Sequence, residues 1–148
     1  MTLRPETFDR FARAALQFCN LVEEPPQTGD RAAFVWAMRS SLAEILASGY
    51  RLPEVESTRD EPPNSPNLVE WKAQFGKVQM QIGELPGGPE TLLAVTDDLA
   101  DTWRDLKTGL DALATGSRWE DVSWEWRFGL QTHWGKHAEN ALIALHDA

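Results

Sequence analysis

A chain of 148 residues with 42% hydrophobic and 25% charged residues can build one core and has ordinary globular proportions, which excludes an intrinsically disordered chain. Its formal net charge of −9, with no basic stretch, excludes the clustered Lys and Arg on which binding to nucleic acid or to an anionic membrane surface depends. No run approaches the roughly 20 apolar residues that span a bilayer, and the opening MTLRPETFDR lacks the apolar run of a secretory signal, so a cytoplasmic single domain over residues 1–148 is expected.

From Pro5 to about Glu23, the residues Phe8, Phe11, Ala15, Phe18, Cys19 and Val22 recur at helical spacing, with Pro5 at a first-turn position and Pro25-Pro26 as the stop. Cys19 has no disulfide partner and lies on that stripe, where it is expected as a small buried hydrophobe. A second helix is expected from an Asp30 cap through Phe34, Val35, Met38, Leu42, Ile45 and Leu46 to Gly49. Pro53, Pro62, Pro63 and Pro66 bar a helix or central strand between Tyr50 and Asn67, and a loop of that length is expected to be mobile.

Leu68, Trp71 and Phe75 restore a helical stripe. Beyond them, Val78, Met80 and Ile82 alternate with Lys77, Gln79 and Gln81 and fit a helix and a strand equally well. Pro86-Gly87-Gly88-Pro89 reads as a turn, followed by a helix from about Thr96 to Ala114 that turns Leu99, Trp103, Leu106, Leu110 and Leu113 inward before Gly116. Ser117-Arg118-Trp119-Glu120 has the S-x-x-E form of a capping box, so a new helix is expected there.

That last segment, Trp119 to Leu145, reads as one long helix with two apolar sides. One carries Trp119, Val122, Trp126, Leu130, His133, His137 and Ala144, with Trp134 and Ala141 at its margin. The other carries Trp124, Phe128 and Leu142, and Asp121, Glu125, Thr132, Lys136 and Glu139 form the wet strip between. The fold expected is an all-α antiparallel bundle of four to five helices with a long Pro-rich loop after the second.

The stretches Asp97-Asp98-Leu99-Ala100-Asp101-Thr102-Trp103-Arg104-Asp105-Leu106-Lys107, Trp124-Glu125-Trp126-Arg127-Phe128 and His133-Trp134-Gly135-Lys136-His137 resemble a bacterial family catalogued only as a domain of unknown function, number 5063. The first half matches more loosely, in helix placement and in Leu52 to Glu56, and Gly76 to Thr91 departs from the family's usual wording. The resemblance implies a helical fold and a cytosolic bacterial origin, and it implies no activity.

Two sets of residues carry functional chemistry. His133 and His137, at i,i+4, point the same way on a helix and suit one metal ion, and Asp98, Asp101 and Asp105 supply carboxylates at i, i+3 and i+7 of the preceding helix. On the helical wheel, however, those three Asp lie opposite the Leu99–Leu110 stripe and are expected to face water, with the histidines packed in the core. The second set, Trp124, Phe128, Arg127, Leu142 and Trp134, suits a contact surface, because Trp and Arg are favoured at interface centres. No phosphate-binding glycine loop and no nucleophile elbow occurs. The expectation is therefore a non-catalytic module that docks on a protein partner or on itself as a homodimer, requiring no cofactor. The alternative is a metal-dependent enzyme or metal-binding protein using His133 and His137 with those carboxylates and a divalent ion.

Overall fold

The computed structural model describes residues 3–26 and 29–148, and its regular elements are six helices: α1 (Glu6–Glu23), α2 (Arg31–Gly49), α3 (Leu68–Ile82), α4 (Pro89–Ala114), α5 (Trp119–Thr132) and α6 (Trp134–His146). Among the described residues there is no strand. The starts of three helices follow from local chemistry. Asp30 accepts the Ala33 N–H at 3.0 Å ahead of α2, and Asn67 and Glu70 form a reciprocal capping box at α3. Pro89 occupies the first turn of α4 behind Gly87 and Gly88, whose φ values of 97° and 82° suit residues without a Cβ.

The core is organised around Trp126, whose ring lies 4.9 Å from Phe11 and 5.8 Å from Phe8, with Gly109 of α4 directly against the indole. Trp134 lies beside it, fully buried, donating its indole N–H to the Trp126 carbonyl at 2.8 Å. Cys19 is buried as expected, and that burial pushes its thiol well above the ordinary range, so it stays protonated and inert. α4 is the central element, packing against α1, α3, α5 and α6.

Several expectations are corrected. The stretch after Phe75, open between helix and strand on sequence, is helix to Ile82, because Gln74, Val78 and Ile82 form a buried i, i+4, i+8 row while Met80 is left exposed, so the 3.6 period prevails over the alternation. α4 begins at Pro89, about two turns before Thr96. The S-x-x-E signature at Ser117 forms no capping box: Arg118 is the cap residue, with no side-chain bond, and its guanidinium instead holds Glu120 at 2.9 Å. The long C-terminal helix breaks at His133 (φ −146°, ψ −81°), so the bundle has six helices where four to five were expected. The break lies between two glycines. The Trp134 indole folds back over Gly129, and Gly135 passes so close to the Leu130 carbonyl that a Cβ there would overlap it.

The break shifts the buried face. Val122, Trp126 and Leu130 keep the expected stripe in α5, but in α6 the buried row is Trp134, Ala138, Ala141 and Leu145. His133 and His137 therefore leave the core and turn to the seam with α4.

The irregular segment between α2 and α3, expected to be mobile, is tied down. Leu52 is buried, its carbonyl accepts from Arg127 at 3.2 Å, and the Pro53 carbonyl accepts from Ser123 at 3.4 Å. Asp121, placed by the sequence in the wet strip, is only 6% exposed and accepts from the Thr58 backbone N–H at 2.7 Å and from the Ser57 and Thr58 hydroxyls. Burial by itself would raise the Asp121 pKa, but these donors and the Arg118 charge outweigh it and hold the carboxyl below its ordinary value. The stabilisation this carboxylate gives is therefore present above the unfolded value near ~3.9 and is lost as pH falls through the lower folded value. Acid unfolding followed by circular dichroism should lose that component in an Asp121→Asn variant, and an unchanged acid limb would refute the assignment.

Candidate functional site

The acidic row of α4 does not face water. Asp98, Asp101 and Asp105 meet side chains of the α5–α6 junction, because α4 is packed against α5 and α6 as well as α1 and α3. Asp105 Oδ2 meets His133 Nδ1 at 2.6 Å, and Asp98 Oδ1 meets His137 Nδ1 at 2.7 Å. Asp101 Oδ2 lies 3.4 Å from His137 Nε2, while its other oxygen accepts the Trp71 indole N–H from α3 at 2.9 Å. The two imidazoles stand edge to face, with ring centres 4.8 Å apart.

A carboxylate accepts, so Nδ1 of each ring is the donor toward Asp105 and Asp98, and Nε2 is the ring nitrogen left for other partners. At His137, Nε2 lies 3.4 Å from a second carboxylate, a separation that suits an ion pair with a protonated ring and also suits two ligand atoms sharing one cation. Asp101, His133 and His137 each offer a ligand atom within 4.8 Å of the others, and Asp97, Asp98 and His137 form a second such group. Burial pushes the carboxyls of Asp98 and Asp105 above their ordinary range even though the histidines pull them down. Asp97 is raised as well, by burial and by the neighbouring Asp101 charge.

The residues expected at a contact surface are dispersed. Trp134 is fully buried in its own chain, Arg127 is engaged with the Leu52 carbonyl, and Leu142 packs on the core. Trp124 and Phe128 remain together, stacked with centroids 5.0 Å apart and planes 8° from parallel, and Phe128 is 50% exposed. Phe128 also walls a cleft of about 220 Å³, roofed by Pro62 and Pro63, that reaches Asp105, Glu125 and His133. Sequence reasoning assigned Glu125 to solvent and missed Asp97. The Asp97-Asp98 doublet was visible, but its relevance depends on how α4 is enclosed.

Residues 73–148 match a family described as a domain of unknown function (DUF5063). No curated protein matches the chain. Among solved structures, the protein BF1032 from Bacteroides fragilis is similar with a TM-score of 0.83 at 20% identity, over 97% of this chain and 95% of that one, which supports the all-helical fold. Among the described residues no helix is long and apolar enough to cross a membrane.

Proposed function

We propose, for a chain that belongs to the DUF5063 family of domains of unknown function, that it is a cytoplasmic metal-binding protein whose centre lies in the α4–α6 seam. His133 Nε2, His137 Nε2 and Asp101 Oδ2 are the ligands, and Asp105 and Asp98 orient the two rings through Nδ1, the carboxylate–histidine–metal arrangement that sets ligand direction and basicity. One distance supports the reading. Ligand atoms around a tetrahedral Zn²⁺ bound at ~2.0–2.1 Å lie about 3.3 Å apart, and His137 Nε2 and Asp101 Oδ2 are 3.4 Å apart. Two imidazoles with one carboxylate suit Zn, Fe or Mn and leave at least one position for water. The His133 side chain is 52% exposed, so a metal held there would be within reach of solvent and would increase the acidity of a water it bound.

Protein prepared without added metal should retain or take up about one Zn²⁺ or Mn²⁺ per chain, measured by elemental analysis and calorimetric titration. A His133→Ala, His137→Ala variant should take up none while keeping its far-UV spectrum, and Asp98→Asn should bind about 10–100-fold more weakly. Stoichiometric uptake by the double variant, or none by the wild type, would refute the site.

One observation favours a second reading, self-association: Phe128 is half exposed while stacked on Trp124. Sedimentation should then show a lower mass for Trp124→Ala at unchanged helicity, and equal masses would dismiss it.

A further inference from the structure

The cleft beneath Pro62 and Pro63 is separate from the three proposed ligand atoms, though His133 borders both. Most of its polar groups are already committed. Asp105 is held by His133, the Thr108 hydroxyl lies 3.2 Å from that of Ser65, and the Thr132 hydroxyl donates to the Phe128 carbonyl. Glu125 is the exception. It is partly buried, lines the cleft, and makes no hydrogen bond among the described residues. Its burial pushes its pKa up despite the pull of the Arg59 charge nearby, while Asp105 adds a second negative charge. A carboxylate drawn partly out of water with no hydrogen-bond donor carries a desolvation cost that the nearby Arg59 charge offsets only in part.

We propose that this cleft binds a small organic cation, a primary ammonium or guanidinium group on a short aliphatic stem, with Glu125 receiving the charged head and Phe128, Pro62 and Pro63 enclosing the stem. Shape and charge together select this class. About 220 Å³ is below the range of pockets that hold drug-sized or nucleotide ligands. An anion would meet both Glu125 and Asp105, and a neutral apolar ligand would bury Glu125 further without compensation. A cation gains a charge-assisted hydrogen bond to Glu125 while its stem packs on the apolar lining. Arg59, charged and near Glu125 but with its buried Nη1 lacking an acceptor, shows that the fold itself brings a cation toward this carboxylate without pairing it.

The inference does not depend on a bound metal, so its test uses the full chain stripped with EDTA. Amide spectra recorded during titration with n-butylammonium and n-butylguanidinium chloride should show saturable shifts at Gly109 and Gly129, which line the cleft, with no saturable shift for n-butyrate or n-butanol. Glu125→Gln should bind about tenfold more weakly, and because Glu125 supports no hydrogen bond the variant should fold and melt above the wild type. Glu84→Gln, at an exposed carboxylate in the turn between α3 and α4, should bind as the wild type does. Absence of saturable shifts, an equal response to butanol or butyrate, or undiminished affinity in Glu125→Gln would overturn the assignment.

Discussion

Replacing Trp126 with Ala is expected to cost about 3–5 kcal/mol, the range for removing a large aromatic from a close-packed interior. Trp126 is 1% exposed and is the side chain on which three elements converge. Phe8 and Phe11 of α1 pack on its ring, Gly109 of α4 lies against its edge, and its carbonyl receives the Trp134 indole N–H from α6. No neighbour can collapse into the space without losing its own packing, so the cavity term adds to the transfer term. Against the roughly 5–15 kcal/mol that stabilises a typical domain, the loss is a large fraction of the whole. Urea unfolding of wild type and variant measures it, and a cost below about 1.5 kcal/mol would mean that the phenyl rings repack and that the indole is not the centre described here. Trp126→Phe should fall between the two.

Gly135→Ala is expected to be nearly as damaging for a different reason. The added Cβ would overlap the Leu130 carbonyl, which is backbone and cannot rotate aside, and would press on the Leu130 side chain as well. Overpacking commonly costs about 1–3 kcal/mol, and a backbone obstacle places this substitution at the upper end. The melting temperature should fall by about 2–4 °C for each kcal/mol. The strain is relieved only by opening the junction between α5 and α6, which carries His133 and His137 away from Asp105, Asp98 and Asp101. Zn²⁺ uptake should therefore fall together with stability. Gly76→Ala, on the surface of α3 with open space around its Cα, should leave both unchanged. Retention of full metal affinity in Gly135→Ala would show that the junction geometry does not position the histidines.

The first two helices and their buried faces were legible because each carries an unbroken apolar stripe between clear stops, from Phe8 to Val22 and from Phe34 to Leu46. The cluster was legible as a set of residue types but not as an arrangement. A helical wheel assumes one continuous helix, and Trp119 to Leu145 is two. Gly129 and Gly135 were the signal for the break, yet nothing local reveals that an indole folds back over one and a carbonyl crowds the other. The same limit applies to Asp98, Asp101 and Asp105. A wheel shows which face they share but not that α6 lies on that side, since enclosure is a property of the assembled bundle. Asp121 was misread because its partners, Ser57 and Thr58, are more than 60 residues away along the chain.

The stretch from Arg59 to Pro66 is held at both abutments, by Asp121 gripping Thr58 on one bank and by the Asn67–Glu70 cap on the other, and its prolines stiffen the span between. It behaves as a footbridge rather than a door. Pro62, Pro63 and Ser65 of that span form one side of the hollow, so slackening the Asp121 mooring would loosen that side while the helical sides stay in place.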